Sequence, residues 1–183
     1  MRIIAGKAGR IAIRTPPGVA RPTTDFVRQA VFSILGGRVE NARVLDLFAG
    51  SGAIGLEALS RGAASCVFVD SHRLACAAIA ENLARARLEG GRVVKADCMA
   101  FLKRDAGTYD LIFADPPYWK HHGDKDHLSG LLQCESLAPR LAAGGCVVSE
   151  LSAGQPTPEA AGLVLADRRA YGGSAVLFHV PRT

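Results

Sequence analysis

Two short stretches of the chain hold the residues best suited to chemistry. The first reads Asp46-Leu47-Phe48-Ala49-Gly50-Ser51-Gly52-Ala53-Ile54-Gly55, and its last six residues satisfy G-x-G-x-x-G. Glycines at these positions permit a tight turn and let a ligand touch backbone. A dinucleotide is one candidate, but Asp46 sits four residues before Gly50, where its carboxylate would oppose a pyrophosphate. A ligand carrying an ammonium gains from the same carboxylate. S-adenosylmethionine is such a ligand, with an α-ammonium, a sulfonium and no phosphate. The plainer alternative makes Asp46 a surface acid at a strand end. Asp70, about 20 residues past the loop, suits ribose hydroxyls in either ligand. Asp97 can accept from an adenine amine or cap a helix beginning at Cys98, and the two roles are compatible.

The second stretch is Asp115-Pro116-Pro117-Tyr118. Consecutive prolines remove two backbone donors and stiffen the turn. A carboxylate and the Pro116 carbonyl then form a fork of two acceptors, matched to the two hydrogens of a nucleobase exocyclic amine. Accepting both directs the nitrogen lone pair out of the base plane, and Tyr118 offers a face on which the base stacks.

These residues need a scaffold that brings two loops together. From residue 42 onward, apolar β-rich runs (Arg43 to Phe48, Cys66 to Val69, Arg92 to Ala96, Asp110 to Ala114, Cys146 to Leu151) alternate with helical segments near 53–61, 72–88, 98–104 and 128–142. That alternation predicts a parallel sheet covered on both faces. Leu163 to Arg169 and Ser174 to Val180 flank Gly172-Gly173, too close for a crossover, and predict an antiparallel hairpin at one sheet edge. The expected fold is α/β: a mostly parallel seven-stranded sheet with a C-terminal hairpin. Ahead of it, Arg2 to Ala5 and Arg10 to Arg14 read as a small β-hairpin. A helix with Phe26, Ala30, Val31, Ile34 and Leu35 at helical spacing follows, capped by Thr23, Thr24 or Asp25 and stopped by Gly36-Gly37. Residues 1–40 are therefore expected to be a basic extension and 41–183 the catalytic body.

Asp46 to Gly55 followed by Asp115-Pro116-Pro117-Tyr118 resembles the Rossmann-like class I S-adenosylmethionine-dependent amino-methyltransferases. Arg21-Pro22-Thr23-Thr24-Asp25, Leu56 to Ala63 and Tyr171-Gly172-Gly173 extend the likeness. With them, nearly the whole chain resembles the bacterial 16S ribosomal RNA guanine-N2 methyltransferase family. The resemblance implies methyl transfer to an exocyclic guanine amine, with S-adenosylmethionine as cofactor. It implies that Asp46, Phe48, Ala49, Gly50, Ser51 and Gly52 bind the methionine half, Asp70 the ribose, and Asp97 and Cys98 the adenine. It gives Asp115, Pro116, Pro117 and Tyr118 to the guanine amine. The family often has Glu and a second acid after the second strand; Asp70-Ser71-His72 stands here, one methylene shorter.

Charge and composition bound the partners. Among 183 residues with a net charge of +5, the first forty hold seven basic residues against Asp25 and Glu40, so the whole excess lies there. A basic arm on a neutral body suits a polyanion. Lys7, Arg10, Arg21 and Arg28 are expected to grip its phosphates, the resemblance implies that the polyanion is small-subunit ribosomal RNA or an assembling subunit, and a monomer is expected. With 49% apolar and 21% charged residues, disorder and collagen are excluded. No apolar run reaches the ~18 residues of a membrane span, which predicts a cytoplasmic protein. The five cysteines form no C-x-x-C pair and read as core residues. Three histidines and two acids in 120–127 match no metal-ligand spacing, so no metal is expected. His72 and His179 are expected as surface and strand-edge residues. The rival readings are a DNA adenine methyltransferase, which has a larger target-recognition region; an NAD-dependent dehydrogenase, which leaves the proline fork unexplained; and a non-catalytic RNA-binding assembly factor.

Overall fold

The computed structural model describes residues 1–16, 24–117 and 126–182. Helix α1 (Asp25–Leu35) starts where the Thr24 side chain accepts from the Val27 amide, and it ends at Gly36 with φ 51°. The body then alternates β1 (Arg43–Leu47), α2 (Ala53–Ser60), β2 (Ser65–Asp70), α3 (Arg73–Ala86), β3 (Gly91–Lys95), α4 (Cys98–Arg104), β4 (Tyr109–Ala114), α5 (His127–Leu132) and β5 (Leu141–Ser152), before β6 (Leu163–Tyr171) and β7 (Ser174–Pro181). The seven strands run in the order β3-β2-β1-β4-β5-β7-β6. β1 to β5 are parallel, and β7 is antiparallel to both β5 and β6. After stepping outward through β2 and β3, the chain returns beside β1. The gap between β1 and β4 is thus the switch point at which open α/β sheets bind ligands.

Strand residues alternate between two cores. Val44, Phe68, Phe113 and Val148 pack on the face covered by α1 and the N-terminal segment. Leu45, Leu47, Ile112 and Val147 pack on the opposite face, with Leu102 and Leu131. Cys66, Cys98, Cys134 and Cys146 are buried free thiols, as expected, and Cys76 is half-buried.

Three expectations need correction. The helix expected over 128–142 stops at Leu132; a single 3-10 turn, Ala138–Arg140, follows, and β5 begins at Leu141. The Cys134, Leu137 and Arg140 amides each bond three residues back, to Leu131, Cys134 and Leu137. Successive turns of that kind space leucines as a helix does, while Pro139 supplies no amide to extend one. The N-terminal hairpin is present but shorter than two full strands: an antiparallel bridge joins Arg2 to Ala12, and the Ile3, Arg10 and Ile13 amides donate to the Ile11, Ile3 and Met1 carbonyls, while Gly6 to Arg10 turns onto α2. His179 is 1% exposed and not on an edge strand. β6 takes the sheet edge and leaves β7 inside, with His179 paired to both Val147 and Leu165.

Arg28 also departs from its expected role. It is 1% exposed, its Nη2 donates to the Arg2 carbonyl at 2.5 Å and to Asp25 at 3.0 Å, and its Nε lies 3.9 Å from Glu57. A side chain enclosed this way fastens α1 to the N-terminal segment and cannot grip a phosphate on the surface.

Glu57 is the hub of this fastening. Fully buried on α2, it accepts from the Ile4 amide at 2.6 Å, the Ala5 amide at 3.1 Å and Arg61 Nε at 2.6 Å. One turn on, the Ser60 hydroxyl donates to the Ala5 carbonyl and accepts from the Ala8 amide. The close approach requires glycine at residue 6, where φ is +80° and a Cβ would lie 2.0 Å from the Ser60 carbonyl oxygen. Ile3, Ala8 and Ile13 thereby join the core shared by α1 and the sheet.

Candidate active site

β1 pairs in register with both neighbours: Asp46 lies opposite Phe68 of β2 and Phe113 of β4. Side chains repeat every two residues along a strand. Asp70 and Asp115, each two residues beyond those phenylalanines, therefore continue on the face that Asp46 occupies. They flank the exit of β1, two inter-strand steps or about 10 Å apart, with Asp46 one pleat lower between them. Three carboxylates on one face at the switch point are the chief electrostatic feature of the site.

Asp46 is 2% exposed, and its Oδ2 accepts from the Gly55 amide at 3.0 Å. Burial pushes its carboxyl well above the usual carboxylate range; the Gly55 hydrogen bond opposes this, and Asp115 and then Asp70 reinforce it. A buried acid repelled by two others is relieved when a positive group enters. Asp70 is already a structural acceptor. Its Oδ2 takes the Gly50 amide at 2.9 Å and its Oδ1 the His72 amide at 2.8 Å, which ties the glycine loop to the end of β2.

The loop is held in an unusual backbone shape. Phe48 has φ 58°, a conformation that costs a non-glycine residue about 1–3 kcal/mol and clusters at functional sites. Its amide donates to Cys98 Sγ at 3.4 Å, and its ring meets the His127 ring edge-on at 5.9 Å. Burial pushes the Cys98 thiol up to about 12, so it accepts as a neutral sulfur. The Ala49 amide bonds to the Val69 carbonyl, and the Gly52 amide to that of Ala49. Ser51 is buried and its carbonyl accepts from Asn82 Nδ2 at 3.0 Å. Gly55 lets α2 lie directly on β2, since a Cβ there would fall 2.3 Å from the Phe68 ring and 2.6 Å from Cys66 Sγ. Asp97 caps α4, its Oδ1 accepting from the Ala100 amide at 2.9 Å, and Cys98 opens that helix.

Asp115 is half-buried, Pro116 buried and Pro117 exposed. Two clefts meet here. One is lined by Val31, Phe32, Ile54, Asp115, Ser149 and Glu150. The other is lined by Pro116, Pro117, His127, Glu150, Gln155 and Pro158. Of the basic residues expected to meet RNA, Lys7 and Arg10 are exposed. Lys7 bonds through its amide to the Ser60 carbonyl, at the end of α2 about 10 Å along the axis from the glycine loop. Arg21 and Tyr118 lie outside the described residues.

Sequence reasoning missed Glu57, Ser60, Asn82 and Glu150. The first three fasten the N-terminal segment and the loop; Asn82 Nδ2 also donates to the Arg14 carbonyl and its Oδ1 accepts the Arg14 amide. Glu57 and Ser60 at i, i+3 on an otherwise apolar helix were the available signal. Glu150 follows Ser149, which pairs with Ala114, so register sets it beside Asp115.

The sheet order and the loops meeting at the β1/β4 gap define a Rossmann-like class I methyltransferase fold. The family described as conserved hypothetical protein 95 matches residues 1–180. The ribosomal RNA small subunit methyltransferase D of Escherichia coli strain K12 is 39% identical over 120 residues, covering 64% of this chain and 60% of that protein. YlbH of Bacillus subtilis, a candidate rRNA methyltransferase by name, is 34% identical over 189 aligned positions that span both chains completely. Among solved structures, the candidate methyltransferase yhhF of Escherichia coli superposes with a TM-score of 0.84 at 32% identity, covering 100% of this chain and 98% of that one. The chain belongs to the conserved hypothetical protein 95 family, that of the small-subunit ribosomal RNA methyltransferase D proteins.

Proposed function

We propose that this protein uses S-adenosylmethionine to methylate the exocyclic N2 amine of a guanine in small-subunit ribosomal RNA. The observation that carries the reading is the placement of Asp46, Asp70 and Asp115 on one sheet face around the glycine loop. Acids so arranged repel a pyrophosphate and attract an ammonium and a sulfonium, which disfavours a dinucleotide. The names of the family's relatives support RNA as the methyl acceptor.

In this reading Asp46 holds the ammonium, and the backbone from Phe48 to Gly52 cradles the methionine half. Asp70 keeps acceptor capacity for a ribose hydroxyl beyond its bonds to Gly50 and His72. Asp97 and the amide of Cys98, at the open N-terminus of α4, serve the adenine. The bound cofactor supplies an electrophilic methyl group on a positively charged sulfur. Asp115 and the Pro116 carbonyl accept the two amine hydrogens and aim the nitrogen lone pair at that methyl, with Tyr118 as the stacking face. Methyl transfer to the nitrogen, with the thioether as leaving group, would make that nitrogen acidic, and Asp115 is placed to take its proton late. Alignment of the two reactants accounts for much of the rate. A base stacked in a duplex cannot reach the fork, so the guanine must be unpaired or turned out of its helix. Residues 1–40 form the RNA-facing extension, with Lys7, Arg10 and Arg21 as its phosphate contacts.

Labelled-methyl transfer to ribosomal RNA, small subunits and DNA tests this, with mass spectrometry of the nucleosides. N2-methylguanosine from the RNA substrates is the expected product. Methyladenine from DNA, or no transfer to any substrate by a protein that binds S-adenosylmethionine, overturns it.

A further inference from the structure

Phe26 is 67% exposed in the first turn of α1, although the buried face of that helix is complete without it: Val27, Arg28, Val31, Phe32 and Leu35. A large ring left in water contributes nothing to the core. The Phe26 ring is nevertheless held in place, meeting Tyr171 edge-on at 6.0 Å with an interplanar angle of 79°. Tyr171 ends β6 and rests against the core on the α1 side of the sheet, so one ring is anchored and the other is presented.

The pair stands on the rim of the active site. Tyr171 pairs with Ser174, Ser174 with Ser152, and Ser149 with Ala114. Tyr171 is therefore level with a point two residues beyond Asp115, at the same carboxyl edge. Laterally it lies three inter-strand steps from β4, about 14 Å, a span bridged by a few unstacked nucleotides. The approach is open, since a Cβ added at Gly172 or Gly173 would meet nothing within 4 Å. Positive charge borders it. Arg169, two residues before Tyr171 on the same strand face, is exposed and pairs with Asp167 at 2.7 Å, a surface pair cheaply exchanged for a phosphate. Arg2, also exposed, has its carbonyl on Arg28 beside the same turn of α1.

We propose that Phe26 and Tyr171 form a stacking platform for a second unpaired base of the RNA, one near the target guanine but not the target itself. This rests on the RNA methyltransferase reading above. Bases stack on aromatic faces regardless of sequence, so the platform lends affinity and holds the flanking strand unpaired. Its role is in positioning the RNA, without contact to the reacting atoms.

The test compares wild type, Phe26→Ala, Phe26→Trp and Tyr171→Ala as full chains in steady-state methylation of ribosomal RNA, with cofactor titration and thermal melts alongside. Phe26→Ala raises KM for RNA about tenfold, or ~1.4 kcal/mol. Its kcat, S-adenosylmethionine affinity and melting temperature stay close to wild type. Phe26→Trp keeps the wild-type KM, which a merely structural role for the phenylalanine does not predict. An unchanged KM in an active Phe26→Ala overturns the platform alone. A wild type that binds cofactor but methylates no RNA overturns the functional reading as well. Dimerisation lost in Phe26→Ala with KM for RNA unchanged assigns the patch to a second copy of this chain and overturns the proposal.

Discussion

Replacing Asp46 by Asn isolates the charge at the centre of the site. The side chain is buried between Phe68 and Phe113 and accepts the Gly55 amide at 3.0 Å. An asparagine carbonyl keeps that bond and nearly the same volume, so the change removes a charge and little else. Because burial raises the carboxyl well above its ordinary value, the folded protein favours the protonated form. The stability this gives is full below the unfolded pKa, near 4, and is lost as pH rises through the raised folded value. Asp46→Asn carries no such loss, so without ligand the variant melts at or above the wild-type temperature from pH 6 to 8. Cofactor binding moves the other way. At about 4 Å and an effective dielectric of 20, the carboxylate and an ammonium attract by about 4 kcal/mol. Part of that is spent on ionising the buried acid, leaving an expected loss of roughly 100-fold in affinity, since each 1.4 kcal/mol is tenfold. Wild-type affinity should also weaken as pH falls and Asp46 protonates, whereas the variant should show no such dependence. Calorimetric titration with S-adenosylmethionine at several pH values reads both effects. An Asp46→Asn protein that binds the cofactor as tightly as wild type would refute the reasoning.

Asp115→Ala should cut kcat at least 1,000-fold and change cofactor affinity less than threefold; a large affinity loss by titration would place Asp115 on the cofactor instead of the acceptor amine. Glu57→Ala strands the buried Arg28 and the Ile4 and Ala5 amides. Breaking a buried pair costs about 3–5 kcal/mol, so a fall of about 10 °C in melting temperature is expected, and a shift under 2 °C would contradict the fastening role. Burial lowers the pKa of His179, so its share of stability is present above the unfolded value, near 6.5, and is lost as pH falls through that range; melts from pH 8 to 5 should flatten in His179→Leu. Lys7→Glu with Arg10→Glu should raise KM for RNA several-fold and reduce the salt slope of binding by about one per contact, with an unchanged slope counting against the basic flank.

The alternation of apolar runs with helical spacing was sufficient to place β1 to β5, and the Gly172-Gly173 turn to place β6 and β7; β1, β2, β4, β5 and β7 are largely buried and read as apolar runs, whereas β3 and β6 are mostly exposed. The ends of β1 and β4 were equally legible, since glycines, a proline pair and aspartates mark them. What eluded reading were features made by partners distant in sequence. Arg28 looks like any cation in a basic arm until Glu57, 29 residues later, is placed against it by the packing of α1 on α2. His179 looks like an edge residue because its own hairpin is evident while the insertion of β7 beside β5 is not. The leucines of 128–141 satisfy a helix and a succession of tight turns alike, and only the start of β5 decides between them.

The same parity that hides a site in the sequence also builds it. Asp70 and Asp115 stand two residues past the phenylalanines that flank Asp46, so the pleat itself turns the three acids to one face once β1 lies between β2 and β4. The arrangement works against the fold: a carboxyl is buried against its preference, and Phe48 occupies a left-handed conformation. Neither feature helps the sheet, and an asparagine and a glycine would remove both costs. The fastening by Glu57, Ser60 and Asn82 lies next to these strained positions and ties the N-terminal segment to both α2 and the loop. A segment so attached couples the basic flank and α1 to the glycine loop through covalent chain and buried hydrogen bonds. On this view RNA held along the flank and a cation held by Asp46 steady the same few residues, and each should bind more tightly when the other is present. RNA affinity measured with and without the sulfonium cofactor should then differ by the same factor as cofactor affinity measured with and without RNA. Independent binding of the two would place the strain at Phe48 in the service of the cofactor alone.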